Sequence, residues 1–196
     1  LTFCAAVFAA PASAAGPAIV VGDSLAVGTR PYLQPLLPER PLIWNAANGR
    51  TTPQGMQALR GALRLAQPGA VVVSLGTNDG PSGPRFADRI RRTLRLVPRS
   101  ACVVWPTIVR PARKGDATEL NRALRAAARR DARLRLVDWI GAVRSGRVVL
   151  PDGLHPNPVG YAERSRMVAS VIERSCPPDA LRVVPPVPGG AAAPSS

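Results

Sequence analysis

The sequence predicts an α/β protein whose central parallel sheet, of about five strands, is covered by helices on both faces. Three observations predict it. Five short apolar runs alternate with amphipathic stretches along the chain. Several of those runs are apolar at successive positions, as strands buried on both faces must be. The chain has 196 residues, 46% of them hydrophobic, enough for one domain with a sizeable core and too few for a second full domain.

The strands fall at 18–21, 42–45, 70–75, 101–105 and 134–137, rich in Leu and β-branched residues. Between them, 52–66 carries Met56, Leu59, Leu63 and Ala66 at helical spacing, and 85–97 does the same with Phe86, Ile90, Leu94 and Val97. A third helix covers 118–130. A last one covers 158–174, with Asn157 as N-cap and Pro158 in its first position. In 25–37, Pro31 and Pro35 are expected to break or kink any helix.

Both ends differ from this body. Residues 1–14 are apolar, uncharged and rich in Ala, and Ala12-Ser13-Ala14 has the small-x-small form of a signal-peptidase site. They are expected to be the remnant of an export signal cut after Ala14. Residues 17–176 form the domain, and 177–196 form a Pro/Ala/Gly tail expected to lack structure. Removal of the signal leaves Cys102 and Cys176. In an exported chain they can pair, or they can remain as two buried thiols. Neither a Cys-x-x-Cys nor a Cys/His cluster is present, which argues against a zinc site.

The net charge is +14, and Lys114 is the one lysine, so arginine carries nearly all of it. Aromatics make up only 4%, and no basic cluster is interleaved with stacking rings, which argues against nucleic acid as partner. Arg122, Arg125 and Arg129 follow helical spacing beside Leu120, Ala123, Leu124 and Ala127, the pattern of a solvated face. Attraction to an anionic cell envelope remains an expectation of the charge.

Four motifs carry the chemistry. Gly22-Asp23-Ser24-Leu25, Asn48-Gly49-Arg50-Thr51-Thr52 and Gly76-Thr77-Asn78-Asp79 follow the first three strands, and Asp152-Gly153-Leu154-His155-Pro156 precedes the last helix. In a parallel sheet the first three share the carboxyl edge, where such folds gather their sites. A serine hydroxyl needs a base within hydrogen-bond reach, and His155 is the sole histidine. Asp152, three residues before it, can orient the same ring and stabilise its charged form. Ser24 N–H at a strand-to-helix junction, Gly49 N–H and the Asn78 amide could together hold an oxyanion. Singly, each residue could equally be a cap or a turn residue. Their joint order at these strand ends favours a site.

From Ile19 to Ile172 the chain resembles the SGNH/GDSL hydrolases. Ser24 stands where the family has its nucleophile, Gly49 and Asn78 where it has its oxyanion glycine and asparagine, and Asp152 and His155 match its Asp-x-x-His. The resemblance implies a three-layer α/β/α flavodoxin-like fold and ester hydrolysis through an acyl-enzyme. It implies no metal or organic cofactor. The Gly-x-Ser-x-Gly elbow of ordinary α/β-hydrolases is absent, in agreement. The expected protein is an extracytoplasmic monomeric esterase or lipase acting on a small-molecule, lipid or glycan ester. Acyl transfer to, or deacetylation of, cell-wall glycans by the same residues is the alternative.

Overall fold

The computed structural model describes residues 16–176. The expected export signal and the Pro/Ala/Gly tail lie outside them. Five strands, β1 (Ala18–Gly22), β2 (Leu42–Ala46), β3 (Ala70–Ser74), β4 (Cys102–Pro106) and β5 (Leu134–Val137), form one sheet in the order β2-β1-β3-β4-β5. Every neighbouring pair is parallel. This is the flavodoxin-like strand order. All residues of β1, β3 and β4 are buried, while those of the edge strand β2 are half-buried. Burial on both faces explains the unbroken Val-rich composition of the central strands.

Six helices cover the sheet: α1 (Ser24–Leu33), α2 (Thr52–Leu63), α3 (Gly83–Leu96), α4 (Thr118–Arg130), α5 (Trp139–Arg144) and α6 (Pro158–Ser175). On one face Leu59 of α2, Phe86 and Ile90 of α3 and Leu120 and Leu124 of α4 meet Ile19, Val21, Val71, Val73 and Val103. On the other, Leu33 of α1 and Val168 and Ile172 of α6 meet Val20, Val72 and Val104. Alternate residues of one strand thus serve two cores. Arg122, Arg125 and Arg129 are exposed on α4, as a solvated face requires.

Two elements depart from expectation. Helix α1 runs straight through Pro31. Proline there deprives the Val27 carbonyl of its usual donor, a loss that is tolerable where Val27 is itself exposed. Pro35 instead lies in a short 3-10 turn, Gln34–Leu36, that ends the segment. Helix α5 gave no sequence signal because six residues are too few for a helical period to show. Asp138 caps it, accepting from Gly141 N–H at 3.2 Å.

Cys102 opens β4 and Cys176 follows α6, and their sulfurs lie 2.01 Å apart across a sequence separation of 74. Closing a loop of that length contributes about 4 kcal/mol in the chain-entropy description. Cys176→Ser is therefore expected to lower the melting temperature by roughly 10 °C in calorimetry. Two alkylatable thiols in protein never exposed to reductant would contradict the bond.

Candidate active site

The motifs after β1, β2 and β3 lie at the carboxyl edge of the sheet, and the loop before α6 folds over it. β1 hands the chain to α1 without a spacer. Asp23 is the N-cap, accepting from Leu25 N–H at 3.0 Å, and Ser24 is the first helical residue. A helix N-terminus leaves its first N–H groups without intrahelical partners, so the Ser24 N–H is available there.

Ser24 Oγ lies 2.8 Å from His155 Nε2, bridging 131 residues of sequence. The other ring nitrogen, Nδ1, lies 2.7 Å from Asp152 Oδ2. Asp152 also accepts from the backbone N–H of His155 at 2.6 Å and of Leu154 at 2.9 Å. These bonds, led by that to the ring, hold the Asp152 carboxyl far below the usual carboxylate range although it is exposed. An ionised Asp152 keeps the proton on Nδ1, leaving the Nε2 lone pair to face the serine hydroxyl. Three of the predicted residues are thus brought into one hydrogen-bonded line.

Gly49 and Asn78 line the same depression, about 520 Å³ in volume, together with Ser24 and His155. Gly49 takes φ +70°, a left-handed conformation that glycine adopts freely, although a side chain there would meet open space. Its glycine is required by the turn rather than by crowding. The Asn78 amide donates to Arg50 O at 3.2 Å and, more weakly, to Asp23 Oδ2 at 3.5 Å. Its carbonyl oxygen accepts from Lys114 Nζ at 2.5 Å, which fixes the amide with its NH₂ toward the Ser24 turn. Asp79 is buried and accepts from Thr52 N–H at 3.2 Å, satisfying the first N–H of α2, whose N-cap is Thr51, while Ser82 caps the helix that follows. Arg89 pairs with Asp79.

With the geometry in place, the comparisons can be read. The profile of the GDSL-like lipase/acylhydrolase family matches residues 20–163. The chain belongs to that family. Its fold recurs in the lipase/acylhydrolase from Enterococcus faecalis, with TM-score 0.71 and 18% identity over 83% of this chain and 98% of that one. It recurs in TesA, with TM-score 0.70 and 21% identity over 81% and 98%. The C-terminal catalytic domain of Streptococcus pneumoniae peptidoglycan O-acetyltransferase A, solved with a methylsulfonyl adduct, gives 0.68 and 18% over 82% and 94%. No curated protein sequence matches the chain significantly.

Within this GDSL-type hydrolase, some groups around the site escaped sequence reasoning. Arg164 of α6 is buried beneath the Ser24 turn, donates to Ser74 Oγ at 3.0 Å and stacks 4.7 Å from the Trp139 ring centroid. Burial lowers its pKa to about 10. Above it, burial raises the Asp23 carboxyl to about 6, against the opposing pull of the Leu25 N–H, Arg164, His155 and Lys114. One signal was legible: Asp23 sits inside the first motif. Nothing in the sequence set Arg164 apart from the other arginines.

The raised Asp23 matters for pH dependence, because a sole histidine on its own predicts a single ionisation. Below about pH 6 Asp23 becomes neutral, losing the charge that faces Asn78 and Arg164. His155 must also be unprotonated to accept a proton. The Asp23 anion and the neutral imidazole both gain population as pH rises. The acid limb of log kcat/KM is therefore expected to steepen toward a slope of two. In Asp23→Asn, which keeps a competent cap, it should fall to one. A slope of one in the unmodified protein would remove Asp23 from the profile.

Proposed function

We propose that this protein is a serine esterase that cleaves carboxylic esters through an acyl-enzyme. The observation that carries the reading is the Ser24–His155–Asp152 line, with distances of 2.8 and 2.7 Å, opening onto the depression that Asn78 and Gly49 share. Ser24 Oγ bonds to the ester carbonyl carbon while its proton passes to His155 Nε2. The carbonyl oxygen becomes an oxyanion, held by the Ser24 and Gly49 N–H groups and the Asn78 amide. The Asn78 hydrogen that faces Asp23 at 3.5 Å is the more weakly held of its two, hence the easier to redirect. As the intermediate collapses, the bond to the alcohol oxygen breaks and His155 delivers the proton to it. Water then repeats the sequence on the acyl-enzyme and frees Ser24.

The same groups serve a second reading. Replacing water by a sugar hydroxyl turns hydrolysis into O-acyl transfer. The depression supports this because it is open to solvent and leaves room for a second alcohol. It is also the reaction named for the pneumococcal O-acetyltransferase whose fold this chain shares. The bond between Cys102 and Cys176 favours work outside the cytoplasm, where disulfides persist.

Ser24→Ala and His155→Ala should each lower turnover of nitrophenyl esters by about 10⁴-fold or more with unchanged circular dichroism. Asn78→Ala should cost about 10²–10³ in kcat, the effect of losing one oxyanion donor. Full activity in purified Ser24→Ala would end the esterase reading. Acetate release in the presence and absence of soluble glycan acceptors separates hydrolysis from transfer.

A further inference from the structure

Two cations flank the depression in a way the catalytic steps do not require. Arg113 and Lys114 close the 3-10 turn Ala112–Lys114 between β4 and α4, and both line the cavity that holds Ser24. Lys114 uses one of its three N–H donors on Asn78 Oδ1. Among the described residues, neither cation lies within 4.0 Å of a carboxylate.

The nearby carboxylates are already committed. Asp152 serves the His155 ring and two backbone N–H groups. Asp23 is buried behind the Ser24 turn. Asp116 accepts from Thr118 N–H at 3.0 Å, at the start of α4. Other parts of the lining are built differently. Val27 and Gly28 of α1 stand there with Tyr161 of α6, packed so closely that a Cβ on Gly28 would sit 2.2 Å from the Tyr161 ring. The cavity lining therefore combines apolar groups with two positive charges, neither of which is in an ion pair with a carboxylate among the described residues. A partly enclosed cation without a counter-ion concentrates anions from solution.

We propose that Arg113 and Lys114 bind an anionic group, a carboxylate or a phosphate, carried by the ester substrate close to its scissile carbonyl. Val27 and Tyr161 take the uncharged part. This rests on the esterase reading of the same pocket and narrows its substrate to anionic esters. It also gives the solitary lysine a double role: it orients the oxyanion donor and meets the substrate's charge.

Matched ester pairs test it. On the acyl side, the mono-4-nitrophenyl ester of glutaric acid is compared with 4-nitrophenyl pentanoate. On the alcohol side, 1-acetylglycerol 3-phosphate is compared with 1-acetylglycerol by acetate release. Spontaneous hydrolysis is subtracted throughout. In one pair or both, kcat/KM should favour the anionic member about five- to tenfold at low ionic strength, the scale of one partly screened ion pair. The responding pair identifies the anion and its side. The preference should shrink with added salt and fall toward unity in Arg113→Gln. In Lys114→Gln it should fall together with kcat on the neutral esters, as Asn78 loses its partner. The readout is a ratio within one protein, so partial loss of folding leaves it unmoved. Ser24-dependent cleavage of neutral esters without any anionic preference would overturn the proposal and leave the esterase reading standing. No cleavage of any ester would overturn both.

Discussion

Helix α1 turns back onto the end of β1 closely enough that only glycine fits at position 22. A Cβ there would lie 2.4 Å from Ala26 Cβ and 3.0 Å from both Cβ and O of Ser74. Gly22 pairs with Ser74 in the sheet, and Asp23 N–H continues the contact to Ser74 O at 3.1 Å. That approach lets α1 start at Ser24 without a spacer, tucked against the adjoining strand. The Gly22–Ser74 pairing also sets the β3 exit, and hence Asn78, beside the Ser24 turn. From beneath, Arg164 reaches Ser74 Oγ at the same point. A larger residue at 22 would push the first turn of α1 off β1 and crowd Ser74, disturbing Asp23, Ser24 and the β3 exit that leads to Asn78, which makes a backbone packing limit the root of the site's geometry.

Two carboxylates near His155 illustrate how environment assigns roles to one chemical group. Asp152 is exposed and accepts three short hydrogen bonds, and it is held as an anion. Asp23 is buried and has one short bond, and it is pushed toward neutrality, to about 6. A buried arginine alone would be a costly cation. Set near Asp23 and over the Trp139 ring, Arg164 gains attraction that lessens the cost of both buried charges.

What the sequence revealed follows from how locally each signal is written. The central strands were readable because full burial imposes apolar residues at successive positions of 18–21 and 70–73. Their order in space was not, since pairing leaves no imprint on composition. The last helix was readable from Asn157 and Pro158, a cap and a first-turn residue, and it does begin there. The helix at 52 was extended too far: it stops at Leu63, because its apolar stripe continues into a turn where Leu65 is 85% exposed. Asp152 and His155 stood out as neighbours in one loop, whereas the contact between Ser24 and His155 depends on the whole sheet being built. Lys114 and Arg164 were silent for a different reason. Their importance lies in what they touch, Asn78 in one case and Ser74 with Trp139 in the other, and no spacing rule encodes such contacts.

Helix α6 has an asymmetry of chemistry along its length. It starts three residues after His155 and ends one residue before Cys176. Eighteen residues of helix make a strut about 27 Å long, with His155 just ahead of its first turn and a sulfur crosslink just past its last. The crosslink is one of several ties on the far end, where Ile172 and Cys176 are buried against the sheet and Arg40 donates to Cys176 O at 3.0 Å. Reduction would thus loosen one tie of the helix that follows His155, at the end farthest from the depression and without entering it.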